Sequence, residues 1–271
     1  MEAKSKVFLT DTHAHLASQG FSEDLFDVVQ RAGEKGVQRI VTISCDAEDS
    51  KLNLEIAREY PTVLPTVGIH PLYIEGISGD SWVEELRGLA SLPQVVAIGE
   101  IGLDYFHPPR DGSSEKEWRR KQRDVFEHLL QLALDLQLPA VIHQRQSAND
   151  VADVLAGFPG VKAVLHCFSG TCEEAARAIE AGHFLSFTGI LTFNNASGLR
   201  KTAASIPLDR VMVETDCPFL APAPFRGKRC EPYMVEFTAK ALGELHGLSL
   251  EEISAVTSRT AGEFFGREVP S

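Results

Sequence analysis

The stretch Asp11-Thr-His-Ala-His-Leu16 directly follows the apolar run Val7-Phe8-Leu9, which is typical of a short buried strand. Side chains two apart on a strand share a face, so we expect His13 and His15 to point together toward the end of that strand. Two imidazoles placed in this way suit a metal ion better than a hydrophobic core. Two satisfied or solvent-facing histidines are the alternative interpretation.

Short β-branched runs alternate with longer amphipathic stretches along the whole chain, which indicates repeated βα units around a parallel sheet. Eight units in 271 residues predict a TIM-type (β/α)8 barrel forming a single domain over residues 1–271, with an open, doubly wound sheet as the structural alternative. The predicted strands are Val7–Thr10, Arg39–Ile43, Val63–Val67, Val95–Ile98, Ala140–His143, Ala163–His166, Phe184–Phe187 and Arg210–Glu214.

Three predicted helices have a sequence pattern that indicates either where the helix begins or which face it buries. Thr171 with Glu174, and Ser249 with Glu252, match the capping box that satisfies free amide groups at a helix N-terminus. The fourth predicted helix has a stripe of side chains at helical spacing, which predicts a packing surface without chemistry. The stripe consists of Trp118, Gln122, Val125, Phe126, Leu129, Leu132, Ala133 and Leu136.

Net charge, cysteine spacing and the length of apolar runs exclude several classes of protein. A net charge of −12 argues against the broad basic face that usually binds nucleic acid, so any polyanion must be held locally. Five cysteines without a C-x-x-C pair predict neither a disulfide framework nor a thiolate zinc site. The stretch Met1–Lys6 lacks the apolar character of a signal peptide, and no run approaches the ~20 apolar residues of a membrane span. We expect a cytoplasmic, monomeric protein without a membrane partner.

Histidines and carboxylates recur at the predicted strand ends. The active sites of (β/α)8 barrels lie at the C-terminal ends of the strands, where residues distant in sequence converge. Seven residues have this position: His13, His15, His70, Glu100, His143, His166 and Asp216. Nitrogen and carboxylate ligands in this proportion suit borderline divalent metals, so we predict a metal site at the barrel mouth.

The motifs around these residues resemble those of TatD-family metal-dependent deoxyribonucleases, in order and over nearly the whole chain. They are Asp11–Leu16, Gly68-Ile-His-Pro71, Gly99-Glu-Ile-Gly-Leu-Asp-Tyr105, Leu138-Pro-Ala-Val-Ile-His-Gln-Arg145, His166-Cys-Phe-Ser-Gly170, Phe187-Thr-Gly-Ile-Leu-Thr-Phe193, Glu214-Thr-Asp-Cys-Pro218 and Pro224-Phe-Arg-Gly-Lys-Arg229.

The resemblance implies hydrolysis of DNA phosphodiester bonds, commonly from a 3′ end, with one or two divalent ions (Mg, Mn or Zn). A narrow barrel mouth admits a single strand or a frayed end more readily than an intact duplex, so we expect single-stranded ends to be preferred. The resemblance also implies roles for individual residues. By motif position, the metal ligands would be His13, His15, Glu100, His143, His166 and Asp216. Glu100 would bridge two ions and Asp216 could accept a proton from the attacking water. His70 would act beside the substrate, and Arg145 and Arg226 would lie beside the phosphates.

Some positions depart from the family pattern. Cys230 follows Arg-Gly-Lys-Arg where Asn is usual, Gln146 and Ser147 replace an acidic residue and Ala, and Thr260 stands where Asn is common. None of these departures removes a predicted ligand. They concern loop anchoring and substrate preference.

Other candidates are assigned no role in the site. His107, His128, His183 and His246 lie off the strand-end pattern and are expected at the surface or in packing, and strand alternation turns Cys167 and Cys217 away from it. The run Arg226–Arg229 fits either a solvated loop or a substrate contact, and its position after the last predicted ligand favours the contact. Glu214 fits either a carboxylate that orients a ligand or a residue of the barrel interior.

Two other functions compete with the nuclease. The first is a metal-dependent barrel hydrolase that cleaves a C–N, ester or phosphoester bond of a small molecule. Many such enzymes bridge their ions with a modified lysine, whereas this chain offers Glu100 and has no lysine between Arg87 and Glu115. The second is a non-catalytic metal-binding or partner-binding protein, which the full set of predicted ligands and the adjacent arginines disfavour.

Overall fold

Eight parallel strands alternate with helices in the computed structural model, which describes residues 7–79, 81–109 and 112–266. The strands are β1 Leu9–Ala14, β2 Val37–Thr42, β3 Val63–Val67, β4 Ala97–Asp104, β5 Ala140–Arg145, β6 Ala163–Leu165, β7 Phe184–Phe187 and β8 Val211–Val213. The α-helices of the described residues are α1 Leu25–Glu34, α2 Ala47–Glu59, α3 Ser81–Ala90, α4 Glu115–Leu136, α5 Ala148–Ala156, α6 Cys172–Glu180, α7 Ser197–Ala204, α8 Val235–His246 and α9 Leu250–Phe265.

The strands pair in sequence order from β1 to β8, and each neighbouring pair is parallel. A parallel bridge between Ala14 and Cys217 joins the end of β1 to the segment after β8. The Asp216 amide donates to the His13 carbonyl at 2.9 Å and the His15 amide donates to the Cys217 carbonyl at 2.8 Å. This order confirms the (β/α)8 barrel, and the doubly wound alternative is wrong because its sheet would reverse strand order.

Three strands, β1, β4 and β5, extend beyond their predicted ends, and β5 runs to Arg145. The β1 strand runs to Ala14 and β4 runs to Asp104, so His13 and Glu100 lie within strands, not after them. The apolar runs used to predict these strands stop where polar side chains begin. In a barrel, however, a strand can continue through polar residues when these residues line a functional interior. The predicted domain limits at residues 1 and 271 lie outside the described residues.

The helices pack their predicted apolar faces on the barrel. The α4 stripe is buried from Trp118 to Ala133, as predicted, and Leu136 packs against the same core. The predicted capping boxes are present at Thr171 and Ser249, and Ser114 with Glu117 forms a third. Side chains of α9, including Phe264, pack into a cluster with residues of β2 and of β4–β8. No helix of the described residues is both long enough and apolar enough to cross a membrane.

Candidate metal centre

His13 and His15 lie at the end of β1, with their Nε2 atoms 3.3 Å apart. Both rings point into the barrel mouth because they lie two residues apart in extended backbone. His13 is fully buried and its Nδ1 atom has no hydrogen-bond partner, whereas Nδ1 of His15 lies 3.7 Å from the Cys45 sulfur. Each histidine therefore directs its Nε2 atom toward the same small volume.

Glu100 occupies the middle of the centre, and its two carboxylate oxygens face different groups of histidines. Oε2 lies 3.4 Å from Nε2 of His13 and 3.8 Å from Nε2 of His15. Oε1 lies 2.8 Å from Nδ1 of His143 and 2.7 Å from Nε2 of His166. The side chain is only 3% exposed, so solvent contributes little to stabilising its charge.

Asp216 joins the half of the centre formed by β1. Its Oδ1 atom lies 3.3 Å from Nε2 of His15 and 3.6 Å from Nε2 of His13. The residue has a φ of 60°, a left-handed conformation that aspartate tolerates better than most residues. Its amide also makes the hydrogen bond to His13 that helps to close the barrel. Closure of the barrel and placement of this carboxylate therefore depend on the same segment.

His70 also faces the centre, and a backbone hydrogen bond fixes which of its ring nitrogens carries the hydrogen. Its Nδ1 atom accepts a hydrogen bond from the Leu72 amide at 3.1 Å, so a neutral ring carries its hydrogen on Nε2, which lies 3.6 Å from Oε1 of Glu100. Burial lowers the pKa of His70 to about 3, although the nearby Glu100 opposes this shift. The ring is neutral at pH 7, and its Nε2–H group is a hydrogen-bond donor that faces the centre.

The charges in the centre are strongly coupled. Burial disfavours ionisation of Glu100, but the surrounding histidines, His166 first, hold its pKa well below the usual range. Burial also disfavours protonation of His15 and His166. The hydrogen bond to Asp216 nevertheless raises the pKa of His15 well above its usual value. The charge of Glu100 does the same for the pKa of His166. Burial lowers the pKa of His13, assisted by His166. In the absence of a cation, protons must therefore balance the carboxylates.

The donor set fits a divalent cation. Nitrogen atoms with lone pairs approach one another at 3.3 Å (His13 and His15) and at 3.4 Å (His143 and His166), and such contacts need either a shared proton or a shared cation. Imidazole donors suit Zn, and carboxylate donors suit Mn and Mg. Among the described residues, four groups have ligand atoms close enough together for one ion: His13, His15 and Asp216; His13, Glu100 and His166; His15, Cys45 and Glu100; and His70, Glu100 and His143.

A carboxylate outside the centre contacts His143, and another lies beside His166. Nε2 of His143 lies 3.1 Å from Oδ2 of Asp104, which leaves Nδ1 free to face Glu100. Glu214 lies 3.5 Å from Nδ1 of His166, accepts from the Cys167 amide at 2.6 Å and is buried. Glu214 is therefore a buried residue of the barrel interior that also lies beside His166. Carboxylates in such positions commonly fix the tautomer and orientation of a ligating histidine.

Three residues that lie near the centre were given no role in it on the basis of the sequence. Asp104 lies inside the Gly-Glu-Ile-Gly-Leu-Asp motif, and its position four residues after Glu100 was the available signal. His107 is partly exposed, as expected, and its Nδ1 atom also lies 2.9 Å from Asp104. Cys45 follows β2 and reaches both His15 and Glu100 as a possible donor. Burial raises the pKa of its thiol despite the contact with His15.

The other three histidines lie at the surface or in packing, as expected. His128 lies on α4 with Nδ1 2.7 Å from the Asp124 carbonyl, and Nε2 of His246 lies 3.1 Å from the Ala203 carbonyl. His183 is buried away from the centre, at the start of β7. Cys167 and Cys217 belong to none of the donor groups found among the described residues.

The basic residues near the mouth separate into two kinds. The guanidinium of Arg145 lies over the ring of Phe106 at 4.3 Å, and that of Arg226 lies over the ring of Phe193 at 4.1 Å. Both arginines are exposed. Arg229 instead forms ion pairs with Asp24 at 2.6 Å and Glu231 at 2.9 Å. Arg226 is therefore available to a ligand, whereas Arg229 is held by these two carboxylates.

The positions that depart from the family pattern retain local anchors. The Ser147 hydroxyl donates to the Leu103 carbonyl at 2.8 Å, which ties the segment before α5 to β4. Cys230 is buried and its amide donates to the Pro218 carbonyl at 3.0 Å. Thr260 donates to the Val256 carbonyl at 3.1 Å within α9. Gln146 is exposed and has a φ of 54°.

A family model described as TatD related DNase matches residues 10–266. The chain belongs to the TatD-related DNase family. It is 37% identical to the uncharacterised metal-dependent hydrolase YabD of Bacillus subtilis strain 168, over 95% of this chain and 98% of the relative. It is 34% identical to a protein of Erwinia tasmaniensis named 3′-5′ ssDNA/RNA exonuclease TatD, over 94% and 98% of the two chains.

A solved structure supports the same assignment. The crystal structure of YjjV, a TatD homologue from Escherichia coli K12, aligns with a TM-score of 0.87 and 30% sequence identity. The alignment covers 97% of this chain and 98% of the YjjV chain. The protein is therefore a metal-dependent hydrolase of the TatD family with a TIM-barrel fold.

Proposed function

We propose that this TatD-family protein hydrolyses phosphodiester bonds of DNA, from the 3′ ends of single strands. One or two divalent ions (Mg, Mn or Zn) would be held by His13, His15, Glu100, His143, His166 and Asp216. The observation that carries the proposal is the position of Glu100, whose two oxygens face two separate groups of histidines. The relative named as a 3′-5′ ssDNA/RNA exonuclease supports a nucleic-acid substrate.

Divalent ions bound here would supply Lewis acidity toward the phosphate and the attacking water. Asp216 would accept the proton that the water loses. Burial disfavours ionisation of this carboxyl, but its hydrogen bond to His15 lowers its pKa, so it is a carboxylate at neutral pH. A carboxylate beside the attacking water can act as the general base. We assign Asp216 this role in addition to ligation.

His70, Arg145 and Arg226 would position the substrate. The hydrogen on Nε2 of neutral His70 can donate to a phosphate oxygen, because Nδ1 already accepts from the Leu72 amide. Arg145 and Arg226 are exposed, and neither guanidinium forms a hydrogen bond or ion pair within residues 7–79, 81–109 and 112–266. Guanidinium groups without a carboxylate partner can each bind a phosphate.

Hydrolysis of labelled oligonucleotides tests the proposal. The metal-free protein, the Mn-loaded protein and its Asp216→Ala variant are incubated with single-stranded DNA, duplex DNA and RNA, each labelled at its 5′ end. We expect stepwise shortening of single-stranded DNA with Mn, none with chelator and none with Asp216→Ala. Arg145→Ala and Arg226→Ala should raise the substrate concentration needed, while bound metal is retained.

The same preparation separates the competing functions. Hydrolysis of small amides, esters or phosphoesters without hydrolysis of any nucleic acid would favour the small-molecule hydrolase. Metal binding without hydrolysis of any of these substrates would favour a non-catalytic binding protein. Glu100 disfavours the first alternative, because the bridging position holds a glutamate and not a lysine.

A further inference from the structure

Large apolar side chains that remain exposed are concentrated at the barrel mouth. Five such residues occur in the part of the chain that the structure describes. Phe26 and Leu52 lie on the outer helices α1 and α2. Tyr73, Phe106 and Phe219 are 52%, 50% and 59% exposed and follow β3, β4 and β8. The last three, called here the aromatic rim, lie after strands that contribute residues to the metal centre.

The rings of the aromatic rim adjoin residues of the centre. The Tyr73 ring meets His70 edge-on at a centroid distance of 6.0 Å, and the Phe219 ring meets His15 edge-on at 6.1 Å. The Phe106 ring lies 4.9 Å from that of His107, which contacts Asp104. A molecule bound at the centre would therefore have an aromatic side chain within reach on several sides.

One cationic group lies against a ring of the aromatic rim, and a second lies over Phe193, which follows β7. Arg145 covers one side of Phe106 at 4.3 Å, and Arg226 covers Phe193 at 4.1 Å. Aromatic rings that hold bases, interspersed with arginines that hold phosphates, match the alternation of bases and phosphates along a nucleic-acid strand. A lipid or an apolar peptide would not use the arginines and the buried histidine-carboxylate centre together.

We propose that Tyr73, Phe106 and Phe219 form a stacking platform for the unpaired bases next to the phosphodiester held at the centre. This inference rests on the proposed function and names the part of the substrate that gives affinity. In a duplex each base is already stacked and paired, so only a single strand or a frayed end can offer its base faces. Stacking on a ring tolerates any base, which predicts little sequence preference.

Two short strands of about six nucleotides, one with normal bases and one made of abasic residues, isolate the contribution of the bases. Affinity for the Mn-loaded protein is measured by fluorescence anisotropy, and KM and kcat are measured for hydrolysis. For the normal strand we expect Phe106→Ala, Tyr73→Ala and Phe219→Ala each to weaken binding by about 5- to 100-fold. For the abasic strand the variants should bind like the wild type. Phe26→Ala is the matched control.

A further variant separates stacking from apolar bulk. Phe106→Leu keeps an apolar side chain without an aromatic face and should behave like Phe106→Ala, whereas Phe106→Trp should retain binding. Metal content, measured on every variant, should stay unchanged. A platform that contributes through stacking predicts this pattern, and equal binding by Phe106→Leu and the wild type would contradict it.

The remaining outcomes distinguish failure of the stacking platform from failure of the proposed nuclease activity. Equal affinity of the wild type for both strands, or equal losses on both strands in the variants, would overturn the stacking platform and leave the nuclease intact. Base-dependent binding without hydrolysis of either strand would support the platform while the proposed nuclease activity fails. Base-independent binding without hydrolysis would overturn both.

Discussion

At the scale of single residues, Glu100 connects the two halves of the centre. One of its oxygens faces the histidines of β1 and the other faces those that follow β4 in the chain. A shared carboxylate reduces the repulsion between two cations held close together. The charge of Glu100, as well as its position, is therefore expected to decide how much metal binds.

Replacement of Glu100 by Gln tests this charge. The variant keeps the side-chain volume but loses the negative charge, so we expect bound metal to fall by about one ion per chain. Metal content after dialysis is measured by atomic emission, with circular dichroism as a check of folding. Glu263→Gln, on the exposed face of α9, is the control. Unchanged metal content in Glu100→Gln would contradict the bridging role.

Asp11 is a buried carboxyl beside the centre that none of the proposed chemistry uses. It accepts hydrogen bonds from the amide and hydroxyl of Thr215 at 2.9 and 2.6 Å. Burial raises its pKa from 3.8 to about 8, although Thr215 opposes the shift. The folded protein thus keeps a proton that the unfolded chain releases. Between these two values the contribution of Asp11 to stability falls as the pH rises.

Replacement of Asp11 by Asn should remove this pH dependence. An amide has no proton to release and can still pair with Thr215. We measure the free energy of unfolding of the metal-free proteins by urea denaturation at pH 5 and pH 8. The loss of stability between these values should be smaller in Asp11→Asn than in the wild type, by roughly 3–4 kcal/mol. Parallel losses would contradict the raised pKa.

At the scale of elements, the placement of Glu100 depends on the close approach of β3 and β4. A Cβ atom on Gly68, just after β3, would lie 2.6 Å from the carbonyl carbon of Gly99 and 3.0 Å from the Glu100 nitrogen. The Thr66 hydroxyl donates to the Gly99 carbonyl at 2.6 Å, which holds the two strands at this spacing. No side chain fits between them without moving the backbone before Glu100.

Two glycine substitutions test this constraint. Gly68→Ala should destabilise the protein by about 1–3 kcal/mol through overpacking and should also lower its metal content. Gly88→Ala, on an exposed position of α3 with open space around it, should stabilise the protein by about 0.5–1 kcal/mol and leave bound metal unchanged. Thermal unfolding and metal analysis measure both effects. Full metal content in a stable Gly68→Ala protein would show that the strands can separate without cost to the centre.

At the scale of the whole molecule, a net charge of −12 leaves nucleic acid to be attracted by a small region. The ions of the centre, together with Arg145 and Arg226, would supply this attraction. Each phosphate neutralised by a protein adds to the salt dependence of binding. A small number of contacts therefore predicts weak dependence on salt.

Affinity for a single-stranded oligonucleotide should fall only roughly 10- to 50-fold between 50 and 200 mM salt. A protein that neutralises 6–10 phosphates loses ~10³–10⁵-fold over the same range. The double variant Arg145→Ala, Arg226→Ala should show a still shallower slope. Fluorescence anisotropy across the salt series measures these values. A steep slope together with equal cleavage of closed circular duplex and single-stranded DNA would require an extended basic surface and would contradict the local mode of binding.

The amino-acid sequence by itself determined the barrel and the residues gathered at its mouth. Strand and helix periodicities are local signals, and a parallel barrel brings every C-terminal strand end to one side, so His13, Glu100 and Asp216 could be placed together.

Only the tertiary structure decided the orientation of those groups. The opposed oxygens of Glu100, the contact of Asp104 with His143 and the pairing of Arg229 with Asp24 depend on strand register and loop path. The aromatic rim also depends on which loop residues the packing of the core leaves exposed. Contacts between residues far apart in the chain leave no periodic trace in the sequence, because they follow from packing of the complete barrel.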